Sequence, residues 1–224
     1  MERLKYSTEE ELVDTFITRL NEQNDPMTVT MREVDCWQGR ADVVKAYIKN
    51  SDANLGLDQA SLLKQLTCSN IIAQLHKKAP RTQGYVRSRV GITQETFSKW
   101  LRELKKAQIV QETETGSLLL SENFSIPDLE FWAYECKLSN WKRALYQANQ
   151  YKGFSHFTFV VMPDDHIKPA VKNIDAFKAT NIGLIKVDFS GEYEIIHKPT
   201  KSNPRRKAFN IVGVGIAMAH LLTH

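Results

Sequence analysis

The strongest constraint on the fold is one eight-residue run, Phe131-Trp-Ala-Tyr-Glu-Cys-Lys-Leu138. As a strand it puts Trp132, Tyr134, Cys136 and Leu138 on one face and Phe131, Ala133, Glu135 and Lys137 on the other. Both faces begin apolar, so the strand belongs in the centre of a sheet covered on both sides. Burying Glu135 and Lys137 there is costly unless they pair, hydrogen-bond or hold a metal. Their i, i+2 spacing sends both toward one spot near the end of the strand. An internal ion pair and a catalytic site satisfy that pattern equally.

The surrounding segments give the strand its layers. Ser7-Thr-Glu-Glu-Glu reads as a helix start with acids in the first turn, followed by Leu12, Val13, Phe16, Ile17 and Leu20 at helical spacing. Met27–Val34 and Ala41–Ile48 read as two strands joined around Trp37-Gln38-Gly39. After the central strand, 140–151 reads as a helix packing through Trp141, Ala144, Leu145 and Ala148. A very apolar strand, His156–Met162, ends in Pro163. A helix near 170–178, strands at 182–189 and 193–197, and a C-terminal helix complete the chain. Strand, helix and strand with near-continuous apolar strands mark an α/β layer. At 224 residues the chain can bury a core without disulfide or metal.

A different pattern interrupts this layer. After the polar stretch Asn50–Gly56 the periodicity turns helical, with Ala60, Leu62, Leu63 and Leu66, then Ile71, Ile72 and Leu75. Gly91-Ile92-Thr93 prepares a further helix, and 109–114 with 117–120 reads as a small hairpin about Thr115-Gly116. That order is a winged helix-turn-helix. The expected division is 1–56 and 127–224 as one core, with 57–126 inserted. From His76 to Lys106 the insertion carries nine basic residues against Glu95 and Glu103, the electrostatic footprint of a nucleic-acid contact or a solvated face. With Phe97, Trp100, Leu101 and Leu104 packed inward, Gln94, Ser98, Lys99, Arg102 and Lys106 are left to face a DNA groove or solvent.

Further candidates stand beside Glu135 and Lys137. Gly39-Arg-Ala-Asp-Val-Val44 places Asp42 in an apolar strand that should neighbour the central one. Asp35 lies near it but borders the turn. Gln147 and Tyr151 stand one turn apart on one face of their helix. Glu11 precedes the apolar run of the first helix. Asp42, then Glu135-Cys136-Lys137, then Gln147-Ala-Asn-Gln-Tyr151 resembles the PD-(D/E)xK nuclease superfamily, in particular bacterial members with a GRADVV-type strand and a winged-helix insertion. The resemblance covers most of the chain. Ala41 stands where many members have a proline.

The resemblance implies a restriction-endonuclease-like mixed α/β sheet flanked by helices, and a Mg²⁺- or Mn²⁺-dependent deoxyribonuclease. Asp42 and Glu135 would be metal ligands, joined by the backbone carbonyl of Cys136. Lys137 would orient or help deprotonate the attacking water. Glu11, with Glu10 as competitor, would add to the metal environment, and Gln147 and Tyr151 would support the site or the phosphate. Host defence or a mobile element is the superfamily's setting. DNA would be joined as partner by a second copy of the chain or a defence-system protein. The alternative is a non-catalytic DNA-binding or regulatory protein on a nuclease-like scaffold.

Composition narrows the rest. Cys36, Cys68 and Cys136 form no CxxC pair and are odd in number, against a disulfide framework or zinc ribbon and in keeping with a reducing compartment. Six histidines show no ligand spacing. The N-terminus is too charged for a signal peptide, and Ala208–Leu222, holding Asn210 and His220, falls short of a span. These features predict a cytoplasmic protein without a membrane role. Asp164-Asp165 reads as a turn or helix cap, and Lys201, Arg205, Arg206 and Lys207 as a second basic cluster. Ile211–Leu222 is expected to cap the core or form a homodimer contact.

Overall fold

The computed structural model describes residues 5–22, 25–35, 37, 39–49 and 55–223. Contacts divide the chain into two units, 1–47 with 130–205 and 48–129 with 206–224. Helix α1 (Glu9–Asn21) opens the first unit, capped by Thr8, whose side chain accepts from the Glu11 amide at 3.1 Å. Strands β1 (Thr28–Asp35) and β2 (Arg40–Ile48) form an antiparallel hairpin. The chain leaves the sheet after β2 and returns in β5 (Leu129–Cys136), which lies between β2 and β6 (Phe157–Pro163). The sheet order is β1-β2-β5-β6-β7-β8, with β7 at Gly183–Val187 and β8 at Tyr193–His197. β5, β6 and β7 run parallel, and β8 is antiparallel to β7. The Lys49 amide donates to the Asp128 carbonyl at 2.9 Å, while the Cys136 amide meets Asp42, so β2 and β5 run in opposite directions.

Both faces of this mixed sheet are covered, as the alternation in 131–138 requires. On one face Leu12, Val13, Phe16 and Leu20 of α1 pack on Val43, Tyr134, Cys136, Phe159 and Val161. On the other, Ala144 and Ala148 of α6 (Trp141–Tyr151) pack with Phe177 of α8 (Ile174–Thr180) against Val160, Met162 and Leu184. The single helix expected near 170–178 is broken at Asn173 into α7 (Lys168–Lys172) and α8. Two buried lysines close helix ends. Lys45 of β2, 2% exposed, donates to the Leu20 carbonyl at 2.9 Å, and Lys152 donates to the Thr180 carbonyl. A cation there satisfies an orphan carbonyl and meets the negative end of the helix dipole.

The second unit contains α2 (Leu57–Leu63), α3 (Leu66–Ala73), α4 (Gln83–Val90) and α5 (Gln94–Lys106), then a two-stranded ribbon of β3 (Val110–Glu112) and β4 (Leu118–Leu120). α4 ends at Gly91, whose φ of 72° an L side chain resists, and Thr93 caps α5. Leu118 also pairs with Arg81 ahead of α4. Trp100 is only half-buried, unlike Phe97, Leu101 and Leu104. The polar stretch 50–54, with Cys36 and Gln38, lies outside the described residues.

The C-terminal helix α9 (Lys207–Thr223), expected with 127–224 in the sheet core, instead packs on α2 and α3. It is buried on almost every side, from Phe209 through Ala219, and a helix apolar all round needs helices around it. Both faces of the sheet already carry their own helices. Among the described residues no helix is long and apolar enough to cross a membrane.

Gly215 permits the α9 contact, since a Cβ there would stand 2.6 Å from the Lys64 amide nitrogen and 2.7 Å from the Leu63 carbonyl carbon. In an open helix Gly→Ala gains about 1 kcal/mol. Here backbone blocks the methyl, so Gly215→Ala should instead destabilise by about 1–3 kcal/mol, read as a lower urea midpoint.

Candidate active site

β5 delivers Glu135 to the sheet interior at 1% exposure. Its Oε2 accepts a hydrogen bond from the Tyr151 hydroxyl, which also lies 3.0 Å from the Arg40 carbonyl oxygen. That oxygen can only accept. With Glu135 ionised, one phenolic proton must serve two acceptors. With Glu135 protonated, the carboxyl donates to the phenol and the phenol to Arg40, which satisfies all three. Among the described residues Oε1 of Glu135 takes no hydrogen bond. Burial and then the charge of Asp42 push this carboxyl up to about 7, against the Tyr151 bond and the Lys137 charge.

Asp42 comes from β2. Its Oδ2 accepts from the Cys136 amide at 2.8 Å, so the residue after Glu135 ties the two strands at the site. Burial raises its pKa, opposed by the Cys136 amide and Lys137. The β1–β2 register passes from Arg32–Val43 to Val34–Ala41, which leaves Glu33 across from Asp42. Glu33 has φ 53°, a left-handed conformation unusual for its type. A cavity of about 260 Å³ opens beside Asp42, lined also by Glu9, Glu10, Val13, Arg32 and Glu33.

Lys137, just past β5, is 14% exposed at its side chain. Its Nζ donates to Glu9 Oε2 at 2.7 Å and stands 3.4 Å from Glu135 Oε1, a charge contact without a directed hydrogen bond. Burial works against its charge, but Glu9, then Glu135 and Asp42, outweigh it and raise its pKa.

The structure therefore brings together Asp42, Glu135, the Cys136 backbone, Lys137 and Tyr151. Gln147 lies one turn before Tyr151 on α6 and is half-buried, with an Oε1 that has no hydrogen-bond partner among the described residues. Glu11 does not join them. Its Oε2 accepts from the Ser7 amide at 2.7 Å and its own amide donates to the Thr8 hydroxyl at 3.1 Å, so the residue is used in capping the helix. Glu9 occupies the place expected for Glu11, and Glu10 is held by Arg32 at 3.4 Å. The signal was present, for Thr8-Glu-Glu-Glu11 has capping-box spacing and commits Glu11 to the helix end. Asp35 accepts from the Trp37 amide at 2.8 Å as a turn residue.

On α5, Gln94, Ser98, Lys99, Arg102 and Lys106 are all exposed. Gln94 donates to Ser98 at 3.1 Å, and Lys99 lies 5.2 Å from the Trp100 ring centre. In the second basic cluster Lys201 pairs with Glu130 at 2.7 Å, and the Arg206 guanidinium stacks on Phe209.

Comparison of the chain with family models, curated proteins and solved structures gives no match. Among the described residues no three His, Cys, Asp or Glu side chains converge as a metal-holding group. The donor set is thus two carboxylates, one with a buried oxygen lacking any hydrogen bond. Mg²⁺ takes one or two carboxylates and fills its octahedron with water and phosphate oxygens, so these residues fit such an ion.

The raised pKa of Glu135 carries a stability consequence. The folded protein holds a proton there up to about pH 7 that the unfolded chain releases near 4.5, so this group's contribution falls as pH rises between the two. Glu135→Gln should be relatively more stable than wild type at pH 8 than at pH 5, by up to about 3 kcal/mol. Urea melts in chelator at both pH values check this. An equal difference at both would mean that ionisation of Glu135 costs the fold nothing.

Proposed function

We propose that the chain is a Mg²⁺- or Mn²⁺-dependent deoxyribonuclease of the PD-(D/E)xK type, with a restriction-endonuclease-like sheet and a winged helix-turn-helix that binds DNA. The observation that carries this reading is the convergence of Asp42, Glu135, Lys137 and Tyr151 at one end of β5, with an unsatisfied oxygen on the buried Glu135. Lys137 pairs with Glu135 Oε1 at 3.4 Å, but its hydrogen bond goes to Glu9 at 2.7 Å, so the internal pair is not closed.

Asp42 and Glu135 would hold the metal, with the Cys136 carbonyl as the third protein group. The bound ion would polarise the phosphoryl group and lower the pKa of a water. Lys137 would offset the negative charge that develops on the phosphate. Glu9 orients Lys137. Tyr151 fixes the Glu135 carboxyl through Oε2 and leaves Oε1 for the ion, and Gln147 offers its amide to the same helix face. Deprotonation of Glu135, near pH 7 without a cation, would accompany metal binding.

Helix α4, the Gly91 turn, capped α5 and the ribbon with its Arg81 bridge support the winged-helix part of this reading. The exposed polar and basic side chains of α5 suit a groove with phosphates along it. Host defence is a setting consistent with such an enzyme, and a cytoplasmic location fits its substrate.

The test incubates purified protein with supercoiled and single-stranded DNA, with Mg²⁺, with Mn²⁺ and with chelator. Metal-dependent cutting is expected. Binding without cutting under every condition would favour a DNA-binding regulator on the same scaffold. Asp42→Ala or Glu135→Ala should reduce cleavage by about 100-fold or more while DNA affinity survives.

Lys99→Ala with Arg102→Ala should do the reverse. Affinity for duplex DNA should fall, and the slope of log affinity against log salt should shrink by about 0.9 for each lost phosphate contact. An unchanged slope would assign α5 to a protein partner instead.

A further inference from the structure

The outer face of α6 carries groups that the proposed chemistry leaves unused. None of its residues is acidic, yet its first turn holds Lys142 and Arg143. Cations at a helix N-terminus oppose the positive end of the dipole, and among the described residues the one charge contact this pair makes is the Lys142 ammonium 5.7 Å from the Trp141 ring centre. Both are exposed, and neither forms an ion pair with a described residue. Tyr146 stands one turn on, i+4 from Lys142 and i+3 from Arg143, and so shares their face. At 70% exposure it is the most open large apolar side chain among the described residues, and its hydroxyl bonds to none of them. The packing face of α6, through Ala144 and Ala148, points into the sheet.

An occupant of this face must supply negative charge for two cations and a flat surface for one ring. A nucleic-acid strand does both, with phosphates for Lys142 and Arg143 and a base for Tyr146. Bases inside a duplex stack on each other, so only an unpaired base can reach the ring. An acidic peptide would neutralise the cations and leave the ring wet. The helix also fixes the distance to the chemistry. Tyr151, which bonds Glu135, follows Tyr146 by five residues, about 7.5 Å along the axis.

We propose that the outer face of α6 is a stacking platform for an unpaired base of single-stranded nucleic acid, with Lys142 and Arg143 on the flanking phosphates. The proposal rests on the nuclease reading and narrows its substrate to single strands, frayed ends and flaps.

The test measures fluorescence anisotropy of labelled oligothymidylate and of a labelled duplex of equal length, in chelator so that nothing is cut. Tyr146→Ala should weaken oligothymidylate binding by about 5- to 150-fold. Tyr146→Phe should bind like wild type, since the ring and not the hydroxyl stacks. Duplex binding should be unchanged in both. Lys142→Ala with Arg143→Ala should reduce the single-strand salt slope by about 1.4 for its two contacts. Circular dichroism checks that each variant keeps its fold. Oligothymidylate binding unaffected by Tyr146→Ala would overturn the platform, as would equal losses on duplex, failure of phenylalanine to restore binding, or equal competition by polyglutamate. A parallel cleavage assay with Mg²⁺ separates the two readings. Tyr146-dependent binding without cutting supports the platform and overturns the nuclease, and cutting with Tyr146-independent binding does the opposite.

Discussion

The burial of Glu135 is the constraint on which the first unit depends. A carboxylate taken out of water costs several kcal/mol unless its surroundings compensate. Each neighbouring element supplies one part of that compensation. α6 brings the Tyr151 hydroxyl, the residue after next on the chain brings the Lys137 charge, and α1 brings Glu9 to hold that lysine. β2 brings Asp42, whose charge works the other way and helps push Glu135 up to about 7. Burial first, and then the Asp42 that the strand order sets beside β5, make the carboxyl hard to ionise without a cation.

Much of this arrangement was legible in the sequence because strand geometry is periodic. Polar residues at Glu135 and Lys137 inside an apolar run must share a face, and Asp42 in its own apolar strand must lie inside the sheet. The spacing of Gln147 and Tyr151 fixed them to one helix face. What failed had physical causes. Adjacency to the apolar stripe points to Glu11, with Glu10 as its competitor, and not to Glu9. The cap decides, since Thr8 accepts from the Glu11 amide and Glu11 accepts from the Ser7 amide, which leaves Glu9 free to turn toward the sheet. Sequence order groups α9 with the sheet core because its neighbours in sequence belong there. A helix apolar on every side carries no stripe to name its partner, and only the glycine at 215 hints at a close backbone approach. The φ of Glu33 across from Asp42 left no trace in composition, because an ordinary residue type was placed in an unusual conformation.

The position of α1 follows from lysines at both of its ends. Lys45 in β2 grips the Leu20 carbonyl at the C-terminal end, and Lys137 grips Glu9 in the first turn. Each contact has the sign that the helix dipole favours, an acid near the N-terminus and a cation at the C-terminus. Lys45 belongs to the strand that carries Asp42, and Lys137 directly follows the strand that carries Glu135. The helix is thus referenced to the same strands as the carboxylates, and a shift of α1 along the sheet would break both contacts together.

That tether also explains why Glu135 keeps an unsatisfied oxygen. Without Glu9, the Lys137 ammonium could close its contact with Oε1 into a hydrogen bond, which would lower the carboxyl's pKa. Glu9 competes for the same ammonium at 2.7 Å against 3.4 Å, and the shorter contact takes the hydrogen bond. A fold selected for stability alone would complete the buried pair, because a buried acceptor without a donor is among the more costly defects a core can hold. Here a second acid shares the lysine, and Asp42, whose charge repels Glu135, lines a cavity. Local rules give way in this fashion where a site must stay open to something that arrives from solution. A cation between Asp42 and Glu135 would satisfy the orphan oxygen, relieve the repulsion and leave Lys137 charged beside it.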